Sequence, residues 1–144
     1  MSSIPTGRRL GIDVGTVRVG LALSDSIGLL ATPLKTVEVS KAKEEIVNLI
    51  AQEDVVAIYV GWPLHLSGVP GSSSAMVRNF LGELSKEVLL PIRLIDERLS
   101  STQATKYVGT KGDIDAIAAT LILERALNEE ASQGTLAGEP YEKI

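Results

Sequence analysis

Apolar runs and polar breaks divide the chain into alternating segments. The N-terminal part holds three extended segments, and the turn at Gly15-Thr16 separates the first two, as in a β-hairpin. Thr32-Pro33 interrupts the third segment, which favours a bend or the edge of a sheet. Further along, segments with apolar residues at helical spacing alternate with short apolar strands. The predicted strands are 10–14, 19–24, 29–39, 55–60 and 91–95, and the predicted helices are 40–53, 72–88, 101–108 and 113–130.

The order of these elements predicts an α/β fold with one mixed sheet. A three-stranded antiparallel meander leads into parallel strands that are joined by crossover helices. The strand at 55–60 is a continuous apolar run, as expected of a strand buried on both faces, so helices should cover both faces of the sheet. This arrangement is RNase H-like. We expect one domain over 9–130, between flexible tails at 1–8 and 131–144.

Composition favours a cytoplasmic globular protein. The chain has 144 residues, enough for one domain, and 44% of them are hydrophobic. It has no cysteine, which excludes disulfides and cysteine-ligated zinc and suits a reducing compartment. No signal peptide or run of about 18 apolar residues is present, so no membrane association is expected. The net charge of −4 disfavours non-specific coating of nucleic acid but allows a basic rim around an acidic site.

Three acidic residues stand where a predicted strand or helix begins or ends. Asp13 lies at the end of the first strand, Glu97 follows the strand at 91–95, and Asp115 lies in the first turn of the last helix. A charge at the end of an apolar strand is costly unless it is paired or binds a metal ion. The alanines around Asp115 would let the last helix approach the sheet closely, which could bring Asp115 towards Asp13.

Each acid also has an ordinary structural interpretation. Asp13 could cap the Gly15-Thr16 turn. Glu97 could be a surface acid paired with Arg98. Asp115 could simply complement the helix dipole. The catalytic interpretation prevails only when all three acids are placed together on one sheet.

Three carboxylates around one point repel each other strongly unless a cation lies between them. Because the ligands are all oxygens, the expected ion is Mg²⁺ or Mn²⁺. Two such ions, about 3.5–4 Å apart, can activate water and stabilise the leaving oxygen in phosphodiester hydrolysis. The pattern therefore predicts a metal site formed by Asp13, Glu97 and Asp115.

The chain resembles the YqgF/RuvX family from about Arg9 to Glu130. Members are described as candidate Holliday junction resolvases and as candidate nucleases that trim the precursor of small-subunit ribosomal RNA. The resemblance implies a metal-dependent nuclease that acts on structured RNA or branched DNA, with Asp13, Glu97 and Asp115 as catalytic acids. The segments that carry it are GIDVGTVRVGLALSD (11–25), ATPLKTV (31–37), YVGWPLHLSG (59–68), IDERLSS (95–101) and KGDIDAIAATLILE (111–124).

The same resemblance places Arg18 and Arg98 near the substrate phosphate. The stretch between positions 107 and 113 is shorter than the family's loop there, so Lys106 and Lys111 are the basic residues left for a nucleic-acid-binding rim. The chain also departs from the family at Trp62, where an aliphatic residue is usual.

Several alternatives stay open. The only histidine, His65, is more simply a solvated loop residue than a proton-transfer group. A non-catalytic nucleic-acid-binding module could keep the fold. GIDVGT also resembles the phosphate loop of actin, chaperone ATPases and sugar kinases, although those proteins close two such domains around ATP. Nothing in the sequence separates RNA from DNA, but a resolvase that cuts two strands symmetrically would need a homodimer.

Overall fold

The computed structural model describes residues 4–62, 72–96 and 114–141. The predicted short helix at 101–108 lies outside these residues. The strands are β1 (Arg8–Val14), β2 (Arg18–Ser24), β3 (Ala31–Glu38), β4 (Val55–Trp62), β5 (Ile92–Asp96) and β6 (Glu139–Pro140). The helices are α1 (Val39–Glu53), α2 (Ser72–Leu84) and α3 (Ile114–Gln133). None of the described helices is long and apolar enough to cross a membrane.

The strands form one mixed sheet in the order β3-β2-β1-β4-β5-β6. The first three pair antiparallel, β1 pairs parallel with β4, and β4 pairs parallel with β5. The predicted meander and parallel strands are therefore confirmed, and β3 is an edge strand, as Pro33 indicated. The pairing of β2 with β3 shifts register between Leu21 and Ala22, next to Pro33, which is typical of a bulge. Because β1, β4 and β5 are parallel, their carboxyl ends meet at one edge of the sheet.

Helices cover both faces, as predicted. Leu10 and Ile12 of β1 belong to the core that includes residues of α1 and α2, such as Ile46 and Leu81. The opposite face of the sheet packs against α3, and this second core includes Tyr59, Ile95, Ala119, Ile122 and Leu123. Alternation along β1 places Gly11 and Asp13 on the α3 face. A Cβ atom on Gly11 would lie 2.8 Å from the carbonyl oxygen of Ala119, so the helix rests almost directly on the strand.

A buried ion pair joins the C-terminal part of α3 to the sheet. Arg9 is 2% exposed, and its Nη2 lies 3.0 Å from Oε1 of Glu130. The Tyr59 hydroxyl donates a hydrogen bond to the same carboxylate and accepts one from the backbone N–H of Ala137, at 3.0 Å. Burial raises the pKa of the Tyr59 phenol, and the hydrogen bond to Glu130 raises it further. Both charges are thus partnered, as buried charges must be.

The C-terminal segment from residue 131 differs from the flexible tail that its composition predicts. Helix α3 continues to Gln133, and β6 then pairs antiparallel with β5. The Arg93 guanidinium donates hydrogen bonds to the carbonyls of Ala137, at 2.7 Å, and Gly138, at 2.8 Å. These contacts satisfy backbone groups that a free tail would expose to water. Residues 131–141 are therefore part of the folded domain.

Candidate active site

Asp13 lies near the carboxyl end of β1, on the face of the sheet that α3 covers. It is half-buried, and its partner in the antiparallel pairing with β2 is Gly20. Cross-strand partners have their Cβ positions on the same face, about 4.5–5.5 Å apart. The missing side chain of Gly20 therefore leaves a gap directly beside Asp13.

The first turn of α3 fills that gap. A Cβ atom built on Gly20 would lie 1.9 Å from the carbonyl oxygen of Asp115 and 2.8 Å from the backbone nitrogen of Ala116. The backbone at Asp115 thus lies against Gly20, and Gly20 lies beside Asp13. The close approach that the alanine-rich helix predicted is present, and it brings Asp13 and Asp115 to adjoining positions. Gly20 is not among the residues predicted from the sequence, although a glycine inside a strand often marks a close backbone approach.

Arg18 contributes a positive charge to this pair of acids. It is the first residue of β2, two positions before Gly20 and therefore on the same face. Its Nε donates a hydrogen bond to Oδ2 of Asp115 at 2.9 Å. The Arg18 side chain is 61% exposed and that of Asp115 is 25% exposed, so this ion pair lies at the rim of the site. Arg18 is thus paired with Asp115, and its side chain is mostly exposed to solvent.

The end of β5 brings another acid to the same edge, but on the other face. Asp96 pairs with Trp62 at the carboxyl ends of β5 and β4. Ile95 packs in the core beneath α3, whereas Leu94 packs against the opposite core. Because successive side chains of β5 point to opposite faces of the sheet, Asp96 lies on the same face as Leu94, away from Asp13. In addition, Arg125 of α3 donates a hydrogen bond to the backbone carbonyl of Asp96.

The remaining predicted site residues lie outside the described residues. They are Glu97, Arg98, Lys106 and Lys111, and His65 lies there as well. Within 4–62, 72–96 and 114–141, no group of three or more His, Asp or Glu side chains is placed to hold a metal ion. The described part of the site supplies two carboxylates, Asp13 and Asp115, and their oxygens are the donors that Mg²⁺ and Mn²⁺ prefer.

An aromatic residue also lies at this edge of the sheet. Trp62, the only tryptophan, is the last residue of β4 and packs against the core that α1 and α2 cover. The guanidinium carbon of Arg78, from α2, lies 5.7 Å from the centroid of its ring, within the range of a cation–π contact. Trp62 is therefore held on the face opposite Asp13.

Sequence comparison relates the chain to a known family. Residues 7–129 match the family model described as "RuvX: Holliday junction resolvase". A protein from Leifsonia xyli subsp. xyli named "Putative pre-16S rRNA nuclease" is 42% identical, covering 95% of this chain and 96% of its own length. A protein of the same name from Streptomyces coelicolor is 37% identical, covering 96% of this chain and 90% of its own.

Solved structures confirm the RNase H-like fold. RuvC from T. thermophilus, in complex with a Holliday junction substrate, gives a TM-score of 0.62 at 18% identity and covers 94% of this chain and 99% of its own. The yeast mitochondrial Holliday junction resolvase Ydc2 gives a TM-score of 0.52 at 12% identity, covering 90% and 81%. Identities this low show the shared fold alone.

Proposed function

The chain belongs to the RuvX family, and we propose that it is a divalent-metal-dependent nuclease that hydrolyses phosphodiester bonds. The observation that carries the proposal is that Asp13 and the backbone of Asp115 both lie next to Gly20. Carboxylates that converge on one point repel each other, and a cation bound between them relieves that repulsion. A protein that only bound nucleic acid would gain nothing from acids that face phosphates.

Asp13 and Asp115 would hold the metal, together with Glu97. A bound Mg²⁺ or Mn²⁺ would activate a water molecule and stabilise negative charge on the reacting phosphate. Asp13 is half-buried, and the start of α3 packs against its cross-strand neighbour Gly20. This packing supports a fixed relation between the backbones of Asp13 and Asp115 before any substrate arrives, and such preorganisation favours catalysis.

We assign the third acid to Glu97 and not to Asp96. A carboxylate from the end of β5 must reach the α3 face to meet Asp13, and alternation gives Asp96 to the other face. Glu97 is the next residue in the chain and the acid that the family resemblance favours. Its longer side chain would also give it more reach.

The proposed substrate is the 5′ end of precursor 16S ribosomal RNA, in the cytoplasm. The name of the curated relatives that match almost end to end supports this choice. Resolution of Holliday junctions is the second candidate, supported by the description of the family model. In either case Arg18, Arg98, Lys106 and Lys111 are the proposed contacts to phosphates. The second candidate also requires a homodimer with two active sites.

The test is cleavage of both substrates in Mn²⁺ by wild type and by Asp13→Asn. We expect Asp13→Asn to lose cleavage while its free energy of unfolding is unchanged or higher, because a repelling charge is removed. Asp54→Asn is the matched control. It makes the same chemical change beyond the C-terminal end of α1, at a left-handed position (φ 54°) that Asn tolerates. Full cleavage by Asp13→Asn, or by wild type in excess chelator, would refute the metal-dependent mechanism.

A further inference from the structure

The ion pair between Arg18 and Asp115 joins a proposed phosphate contact to a proposed metal ligand. The Nε of Arg18 lies 2.9 Å from Oδ2 of Asp115. Because the Asp115 carboxylate accepts this hydrogen bond, the Arg18 guanidinium partly neutralises its negative charge. A divalent cation bound to the same carboxylate would meet that guanidinium at short range, and two cations in contact with one carboxylate repel each other.

From this geometry we infer that Arg18 is a counterion that the metal displaces. Before metal binds, Arg18 neutralises the Asp115 carboxylate and orients it through their hydrogen bond. When the metal binds, the guanidinium leaves Asp115 and its charge becomes available to the phosphate of the substrate. The inference rests on the proposed function, and it makes Arg18 a positioning residue in one state and a substrate contact in the other.

We call this replacement of Arg18 by the metal at Asp115 the exchange. The structure allows the exchange through a movement of the Arg18 side chain alone. The backbone of Arg18 is fixed, because its carbonyl accepts the N–H of Gly15 at 2.9 Å and its strand pairs with both neighbours. Asp115 is fixed by the contact of its backbone with Gly20. The Arg18 side chain, in contrast, is 61% exposed, and an exposed ion pair contributes little and is readily broken.

The exchange predicts opposite effects of one substitution on two measurements. Arg18→Ala removes a cation that competes with the metal, so Mn²⁺ should bind more tightly. It also removes a phosphate contact, so cleavage should fall even at saturating Mn²⁺. A purely structural role would weaken both, and a role in substrate binding alone would leave Mn²⁺ affinity unchanged.

The experiment is calorimetric titration of the full chain with Mn²⁺, without substrate, followed by cleavage of precursor RNA. We expect Arg18→Ala to lower the Kd for Mn²⁺ by about two- to fivefold, the range that corresponds to an exposed ion pair. Cleavage should fall by about tenfold or more, as for the loss of a charge-assisted hydrogen bond. Arg18→Lys keeps the charge and should stay near the wild-type Kd. Lys43→Ala breaks an exposed ion pair with Glu87 between α1 and the turn after α2, and it should change neither quantity.

The outcomes separate this inference from the proposed function. If wild type binds Mn²⁺ but Arg18→Ala binds it no more tightly, the exchange is wrong and the metal site stands. If wild type binds no Mn²⁺, the proposed metal site fails, and the exchange fails with it. Tighter Mn²⁺ binding with unchanged cleavage would refute the phosphate contact.

Discussion

The contact between Gly20 and the start of α3 can be tested by adding a single methyl group. In Gly20→Ala the new Cβ would lie 1.9 Å from the carbonyl oxygen of Asp115 and 2.8 Å from the nitrogen of Ala116. Both atoms belong to the backbone, so no side chain can rotate away to relieve the overlap. Real Cβ contacts are essentially never shorter than 3.0 Å. The first turn of α3 must therefore move away from β2 by at least about 1 Å, a displacement known to matter in catalysis.

Two general magnitudes give the size of the expected effects. Overpacking a well-packed region costs about 1–3 kcal/mol of the free energy of unfolding. A displacement of about 1 Å at a reacting group can lower the rate about 100-fold. The other end of α3 stays attached through Glu130 and Arg9, which limits the displacement to the part of the helix that carries Asp115. We therefore expect a folded protein, about 1–3 kcal/mol less stable, with cleavage about 100-fold slower.

The assay pairs cleavage in saturating Mn²⁺ with chemical denaturation, and Gly82→Ala serves as control. Gly82 lies within α2, and a Cβ there would meet only the Tyr141 hydroxyl, at an ordinary 3.9 Å. Replacing a helical glycine by alanine should stabilise the protein by about 0.5–1 kcal/mol and leave cleavage unchanged. If Gly20→Ala is folded and cleaves at the wild-type rate, the start of α3 does not position Asp115 for the reaction.

Two other predictions concern the third acid and the alkaline limit of stability. Glu97→Gln should lose nearly all cleavage at saturating Mn²⁺, whereas Asp96→Asn should keep a substantial part, because the alternation of side chains along β5 places Asp96 on the face opposite Asp13. The reverse result would show that Glu97 is not the third acid. Burial and the bond to Glu130 raise the pKa of the Tyr59 phenol above its usual value near 10, so above that pH the unfolded chain ionises first and the folded state loses stability. The free energy of unfolding, measured by denaturation from pH 9 to 11, should therefore fall more steeply in wild type than in Tyr59→Phe, and equal slopes would contradict this.

Local patterns in the sequence predicted most of the fold. Apolar runs and glycine or proline breaks mark every long strand, and Pro33 marks the edge strand, because these signals come from neighbouring residues. The ordered C-terminal segment gave no such signal. Strand β6 has only two residues, and Arg93, which holds the segment, lies about 44 positions earlier in the chain. A contact of this kind depends on the tertiary structure and cannot be recognised from periodicity.

The site was predictable in part, for the same reason. The position of Asp13 and the small residues around Asp115 suggested that β1 and α3 meet. The sequence could not show that Gly20 is the point of contact, since a glycine in a strand does not specify what approaches it. The pairing of Arg18 with Asp115 joins residues 97 positions apart. The resemblance favoured Glu97 over Asp96, but the face on which Asp96 lies could be assigned only from the faces that Leu94 and Ile95 occupy.

The two ends of α3 together explain how the distance between Asp13 and Asp115 is fixed. At Gly11 the helix packs closely on the strand, because a Cβ atom there would lie 2.8 Å from the carbonyl oxygen of Ala119 and 2.9 Å from the Cβ of Leu123. The Arg9–Glu130 pair adds resistance to sliding of the helix along the strand, because separating the two buried charges would break their ion pair. Arg9 precedes Asp13 by four residues on the same face of β1, about 13 Å along the strand. Glu130 follows Asp115 by 15 residues, about 22 Å along the helix. Strand β1 and helix α3 are both stiff, so the Arg9–Glu130 pair at the C-terminal part of α3 helps to set the position of its N-terminal end. There the first turn of α3 places Asp115 against Gly20, the neighbour of Asp13.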